Sequence, residues 1–107
     1  MFILDGKICY NNLSGKIKHL PDIMYYVYAL QSLKDKKLYI GYSSDLRRRL
    51  SQHKFGGSIS TKRRLPFRCI FYEAFVAKED AKRRERYFKT NNGKKALRLI
   101  LRRSLEP

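Results

Sequence analysis

Two runs of β-forming residues, MYYVYALQS at 24–32 and KLYIGYS at 37–43, flank the polar stretch LKDKK. Runs this rich in tyrosine, valine and isoleucine, joined by a few turn-forming residues, fold back on one another as a hairpin. That hairpin constrains the rest of the chain, because side chains alternate along a strand and the pairing decides which of them share a face. Tyr26, Tyr28 and Leu30 fall on one face of the first strand. On the second, Tyr39 and Gly41 share a face, opposite Leu38, Ile40 and Tyr42. Gly41 leaves bare backbone beside Tyr39, with room for another group to approach. Tyr25, Tyr42 and Tyr72 read as core fillers.

After the hairpin, Ser44 or Asp45 caps a helix that runs through Leu46, Leu50 and His53 and stops at Gly56-Gly57. A basic loop, STKRRLP, leads into FRCIFYEAFV, a long and mostly apolar third strand. KEDAKRRERYFKT forms a second helix, with Glu79 and Asp80 in its first turn and cations later, as the helix dipole favours. NNG breaks it, and KKALRLILRRS forms a last helix with Leu97, Ile100 and Leu101 facing inward. The expected fold is α+β: a three-stranded, mainly antiparallel sheet flanked by helices, in the order ββαβαα. Residues 1–23, broken by Gly6, Gly15 and Pro21, read as a partly flexible N-terminal extension with one short strand near Phe2–Leu4. The domain proper is expected to span 24–107.

Charge narrows the partners. Lys and Arg number 25 against 9 Asp and Glu, a net charge of +16. Such an excess fits a polyanion, nucleic acid above all, although phosphate attraction alone carries no sequence information. Cys9 and Cys69 lie far apart with no CxxC spacing, and His19 and His53 add no ligand pattern, so a zinc site is not expected. Cys69, within an apolar run, reads as a buried small residue. MFIL is too short for a signal-peptide core and no apolar run reaches the length of a membrane span, so a cytoplasmic, reduced protein with no membrane association is expected.

Two charged residues sit where apolar ones belong. On the first helix Leu46, Arg49, Leu50 and His53 fall on one face, while Arg47 and Arg48 rotate away from it. Arg49 is therefore the arginine that borders a site. On the second helix Ala77, Ala81, Glu85 and Phe88 recur at spacings of four, four and three, which puts Glu85 on the apolar stripe. A buried carboxylate is costly unless it is paired or holds a cation. An ion pair with Arg49 or a nearby arginine satisfies that need, and so does a bound metal. Glu73, inside strand FYEAF, reads as structural.

Taken in order, YVY, YIG, DLRRRLSQH and AKRRERYFK resemble the GIY-YIG nuclease family, and in particular its small stand-alone bacterial members. The resemblance runs from about Met24 to Arg103. It puts the family's two tyrosines at Tyr28 and Tyr39, its helical arginine at Arg49, the accompanying histidine at His53 and the metal-binding glutamate at Glu85, preceded by Arg84. The glycine and isoleucine of the first motif are replaced by Tyr26 and Val27. Asn91 and Asn92 compete for a supporting asparagine. The resemblance implies metal-dependent hydrolysis of DNA phosphodiesters with Mg²⁺ or Mn²⁺ on Glu85, low sequence specificity, structure-selective cutting and a role in repair or recombination. The alternative is a non-cleaving nucleic-acid-binding module of the same fold.

Within that reading Tyr28, Tyr39 and His53 are the candidates for taking a proton from the attacking water. Tyr28 leads, provided that nearby cations depress its pKa, and Tyr39 orients water and phosphate. Arg48, Lys62, Arg63, Arg64, Arg83, Arg86 and Lys89 are expected to grip the nucleic-acid backbone. No aromatic platform for stacking a single strand stands out.

Overall fold

The computed structural model describes residues 2–4, 7–9, 21, 23–57 and 62–106. Most of the expected extension, and residues 58–61, which include the first two of the basic loop, lie outside these. Within the extension, Phe2–Leu4 (β1) is a strand as expected and pairs antiparallel with Lys7–Cys9 (β2), a second strand where loop was expected.

The main sheet is antiparallel in the order β4-β3-β5, with Tyr25–Ser32 (β3) between Leu38–Ser43 (β4) and Phe67–Phe75 (β5). Helices Leu46–Lys54 (α1), Lys78–Phe88 (α2) and Asn91–Ile100 (α3) complete the expected ββαβαα order. Its central position makes β3 the most buried strand, covered from Val27 to Ser32. The pairing sets Tyr28 opposite both Gly41 and Tyr72, and Leu30 opposite Tyr39, so these residues share one face. The other face carries Val27, Ala29 and Ile40, which pack on Ala81 and Phe88 of α2 and on Leu97 and Leu101 of the C-terminal helix region. Each large apolar side chain buried there contributes about 1.5–3 kcal/mol.

Four expectations need correcting. Cys69 is exposed: β5 is an edge strand, and after the register shift near Leu30 this residue lies outside the packed layer. Tyr72 is 59% exposed on the same strand rather than a core filler, whereas Tyr25 and Tyr42 do pack on the core. Asn91–Asn92–Gly93 opens α3 instead of separating two helices. Thr90 is its cap, accepting from the Gly93 amide at 3.0 Å, and a Cβ on Gly93 would run into the Tyr87 carbonyl. Ile100 is 51% exposed because the buried stripe of α3 runs through Leu97 to Leu101, four residues on, and passes beside it.

Candidate active site

The turn from β4 into α1 aims the first helix. Ser43 Oγ accepts from the Asp45 amide at 2.9 Å, and the Asp45 carboxylate caps the helix by accepting from the Arg48 amide at 3.1 Å. With the start fixed, Arg49 and His53 turn inward one helical turn apart, while Arg47 and Arg48 stay exposed. This is the division expected from the spacing.

Tyr28 comes to meet them across the neighbouring strand. Its ring and hydroxyl occupy the space that a Cβ on Gly41 would need. The glycine is thus the passage by which a central-strand phenol reaches toward the β4 edge. There Tyr28 Oη lies 2.9 Å from His53 Nε2, and Arg49 Nε donates to the same oxygen at 3.4 Å. The Arg49 guanidinium also interacts with the Tyr39 hydroxyl and donates to Gln52 Oε1 at 3.0 Å. The His53 ring packs edge-on against both phenols, with centroids 5.3 Å from Tyr39 and 5.8 Å from Tyr28. Gln52, which holds the guanidinium from its far side, was not foreseen, and nothing in its spacing sets it apart from an exposed helix residue.

The protonation states follow from burial. Tyr28 is 0% exposed, and this pushes its pKa above the ordinary 10, against the opposing pull of the Arg49 hydrogen bond. That is the reverse of the depression a phenol base requires, so burial outweighs the basic surroundings here. His53, also buried, is held below 6.5, first by desolvation and then by the Arg49 charge. The tautomer of the neutral imidazole sets the direction of this bond: with the ring proton on Nδ1, Tyr28 O–H donates to Nε2, and with it on Nε2, the imidazole donates to the phenol oxygen.

Glu85 reaches this edge from the opposite face of the sheet, on α2. Its charge is felt at both Tyr28 and Tyr42. The carboxylate is 17% exposed and pairs with Lys89 Nζ at 3.1 Å, one turn along the helix, rather than with the expected arginine. Its neighbour Arg84 makes a two-pronged bond to Glu73 of β5, at 2.8 and 3.2 Å, and stacks over Phe88 at 4.3 Å. Glu73 therefore braces α2 against the sheet and sets the orientation from which Glu85 projects. The signal for it was a lone acid in an otherwise apolar strand.

Residues 24–98 match the family model described as the GIY-YIG catalytic domain. This chain belongs to the GIY-YIG family. Among its relatives are UPF0213 proteins of Streptococcus pyogenes serotypes M3 and M1, each 45% identical over 65 residues that make up 60% of this chain and 70% of the relative. The solution NMR structure of a UPF0213 protein from Bacillus halodurans is 38% identical, covering 72% of this chain and 84% of that one, with a TM-score of 0.47. At the level of the family, GIY-YIG membership points to nuclease chemistry on nucleic acid with a divalent metal.

Among the described residues no three His, Cys, Asp or Glu side chains gather into a ligand set. A single carboxylate, already compensated by the exposed ammonium of Lys89, nevertheless suits an ion that takes one or two carboxylates and completes its shell with water and phosphate, as Mg²⁺ does. The donor set fits.

Of the cations expected to grip a backbone, Arg48, Lys62, Arg63, Arg83, Arg86 and Lys89 are exposed. Arg83 is paired with Asp80 at 2.6 Å and Arg48 with Asp45 at 3.7 Å, both on the surface. Arg64 is the exception. It turns inward to Asp35 at 3.4 Å and lies over the Phe67 ring, while its carbonyl accepts from Ser32 Oγ at 2.6 Å. Those contacts give it a structural part in closing the basic loop onto β3. No helix among the described residues is long and apolar enough to cross a membrane.

Proposed function

We propose that the protein is a metal-dependent endonuclease that hydrolyses DNA phosphodiesters in the cytoplasm, structure-selective and of low sequence specificity, serving repair or recombination. Residues 24–107 form its catalytic unit, with residues 1–23 an extension dispensable for cutting. The observation that carries the proposal is the bracketing of one phenol oxygen by Arg49 Nε and His53 Nε2, with the Glu85 charge arriving from the other side of the β4 edge.

Each residue has a task. Glu85 would hold Mg²⁺ or Mn²⁺, and the ion would supply positive charge to the developing phosphate and help water give up a proton. Arg49 faces the scissile phosphate and shares that charge. Tyr39, only half-buried, stands at the mouth and orients the attacking water. Behind it Tyr28 positions the guanidinium through its oxygen, and neutral His53 accepts the proton that Tyr28 passes back when Tyr28 takes one from water. On this route no Tyr28 phenolate forms, while the burial that disfavours it, together with the Arg49 charge, also lowers the basicity of His53. Lys89, paired with Glu85 here and exposed, is the cation that would give way to an ion on that carboxylate.

A binding module that does not cut is the competing reading, and the complete burial of Tyr28 favours it. A plasmid nicking assay separates the two. With Mg²⁺ the wild type is expected to convert supercoiled DNA to nicked circles, chelation to stop it, and Glu85→Gln to bind DNA without nicking. Equal nicking by wild type and Glu85→Gln overturns the proposal.

A further inference from the structure

Helix α1 divides its face of the sheet. Arg49 and His53 turn toward β4, while Leu46, Arg47, Leu50 and Lys54 line the other flank, facing a groove of about 850 Å³ floored by Tyr26 and Tyr72. The two tyrosines meet edge to face, with centroids 6.1 Å apart, and Tyr72 is 59% exposed. The Tyr28-centred site uses none of these side chains, and the exposed Tyr72 ring is an aromatic platform that the sequence did not bring out. An exposed aromatic ring on an edge strand, faced by two leucines and flanked by two exposed cations, suits a flat apolar ligand that carries negative charge. Asp45, the acid on the same lining, is engaged by the Arg48 amide and guanidinium. The volume lies in the range that takes a ligand of nucleotide size.

We propose that this groove is a subsite for one unpaired nucleotide of a DNA strand. The base stacks on Tyr72 against the Leu46 and Leu50 side chains, and its flanking phosphates meet Arg47 and Lys54. Stacking on aromatic side chains with cations beside them is how proteins hold single strands without reading their sequence. A paired base cannot enter, since its faces are covered by its neighbours in the duplex. Arg49 and Leu50 project to opposite flanks of α1, so a strand that offers its phosphate to Arg49 and a base to the groove passes over this helix. This rests on the nuclease reading and gives it a substrate class: DNA with an unpaired segment beside the cut, such as a flap or an open branch.

The test is made without metal, so that binding is read apart from cleavage. Two duplexes carry 2-aminopurine, one in a short single-stranded overhang and one paired within a blunt end. The wild type is expected to quench the overhang probe and to bind that duplex roughly tenfold more tightly than the blunt one, the order of one stacked base. Tyr72→Ala should lose both the quenching and the preference while keeping its affinity for blunt duplex, and Tyr72→Phe should retain them. Joint replacement Arg47→Ala and Lys54→Ala should weaken the overhang more than the blunt duplex, which tests the groove without touching the ring. Equal wild-type affinity for the two duplexes, or losses in the variants that fall alike on both, overturns the subsite. A protein that shows the overhang preference but never nicks DNA overturns the nuclease reading instead.

Discussion

The two faces of the central strand are sealed equally well by opposite means. On one, Val27 and Ala29 are 0% exposed beneath α2 and α3, in a layer of aliphatic and phenyl groups. On the other, Tyr28 at 0% and His53 at 1% are just as inaccessible, yet they meet through hydrogen bonds and lie against a guanidinium. The first face gains stability from every group it buries. The second buries polar atoms that yield little net stability and are expensive to leave unmatched. A chain that keeps such a face has placed those groups there for something other than stability, and this contrast is what marks the α1 side as the working one.

The contrast is broken most severely by cutting into the apolar face. Phe88→Ala should cost about 3–5 kcal/mol in denaturant unfolding, and if it leaves folded protein, that fraction should keep its DNA affinity. Arg49→Ala should show the mirror image. Nicking falls by a factor on the order of 10²–10³, as when one transition-state hydrogen-bond donor is lost, while the melting temperature barely moves. Tyr28→Phe lies between them. It strips Arg49 Nε and His53 Nε2 of a buried partner for about 1–3 kcal/mol of stability and stops cleavage.

Acid sharpens the comparison more gently. His53 is held neutral in the folded chain with its pKa below 6.5, so the unfolded chain binds more protons as pH falls through that value. Stability contributed by the neutral ring is complete above about 6.5 and declines toward and through the lower folded pKa. The wild-type melting temperature should therefore drop faster between pH 7 and pH 5 than that of His53→Gln, and nicking should fade over the same window. The smallest effect is expected on the rim. Lys62→Ala should lower the slope of log affinity against log salt by about 1 with no change in stability, whereas Arg64→Ala should do the reverse because its guanidinium is turned to Asp35 and Phe67.

Much of this was legible in the residues because it depends on short-range periodicity. The alternation in YYVYALQS and KLYIGYS set Tyr28 beside Tyr26 and Leu30 on one strand and Tyr39 beside Gly41 on the other. The register then joined the two sets on one face, and helical spacing picked Arg49 from three adjacent arginines. What was not legible depended on which strands lie at the edge and how deeply a group is buried. Tyr72 and Cys69 sit in an apolar run that looks like core, and only the β4-β3-β5 order makes that run an edge. The direction of the Tyr28 shift depended on burial that net charge could not reveal. Glu85 was found as an outlier on its stripe, yet its partner Lys89 was one of several cations within reach.

The central claim is that the carboxylate on α2 and the phenols across the β4 edge belong to one site. Mn²⁺ titrated into the protein while tyrosine ring resonances are followed by NMR tests it directly, since the ion broadens what lies near it. The account predicts early, selective loss of the Tyr28, Tyr39 and Tyr42 ring signals, abolished in Glu85→Gln. Broadening that spares those rings, or that persists unchanged in Glu85→Gln, contradicts it.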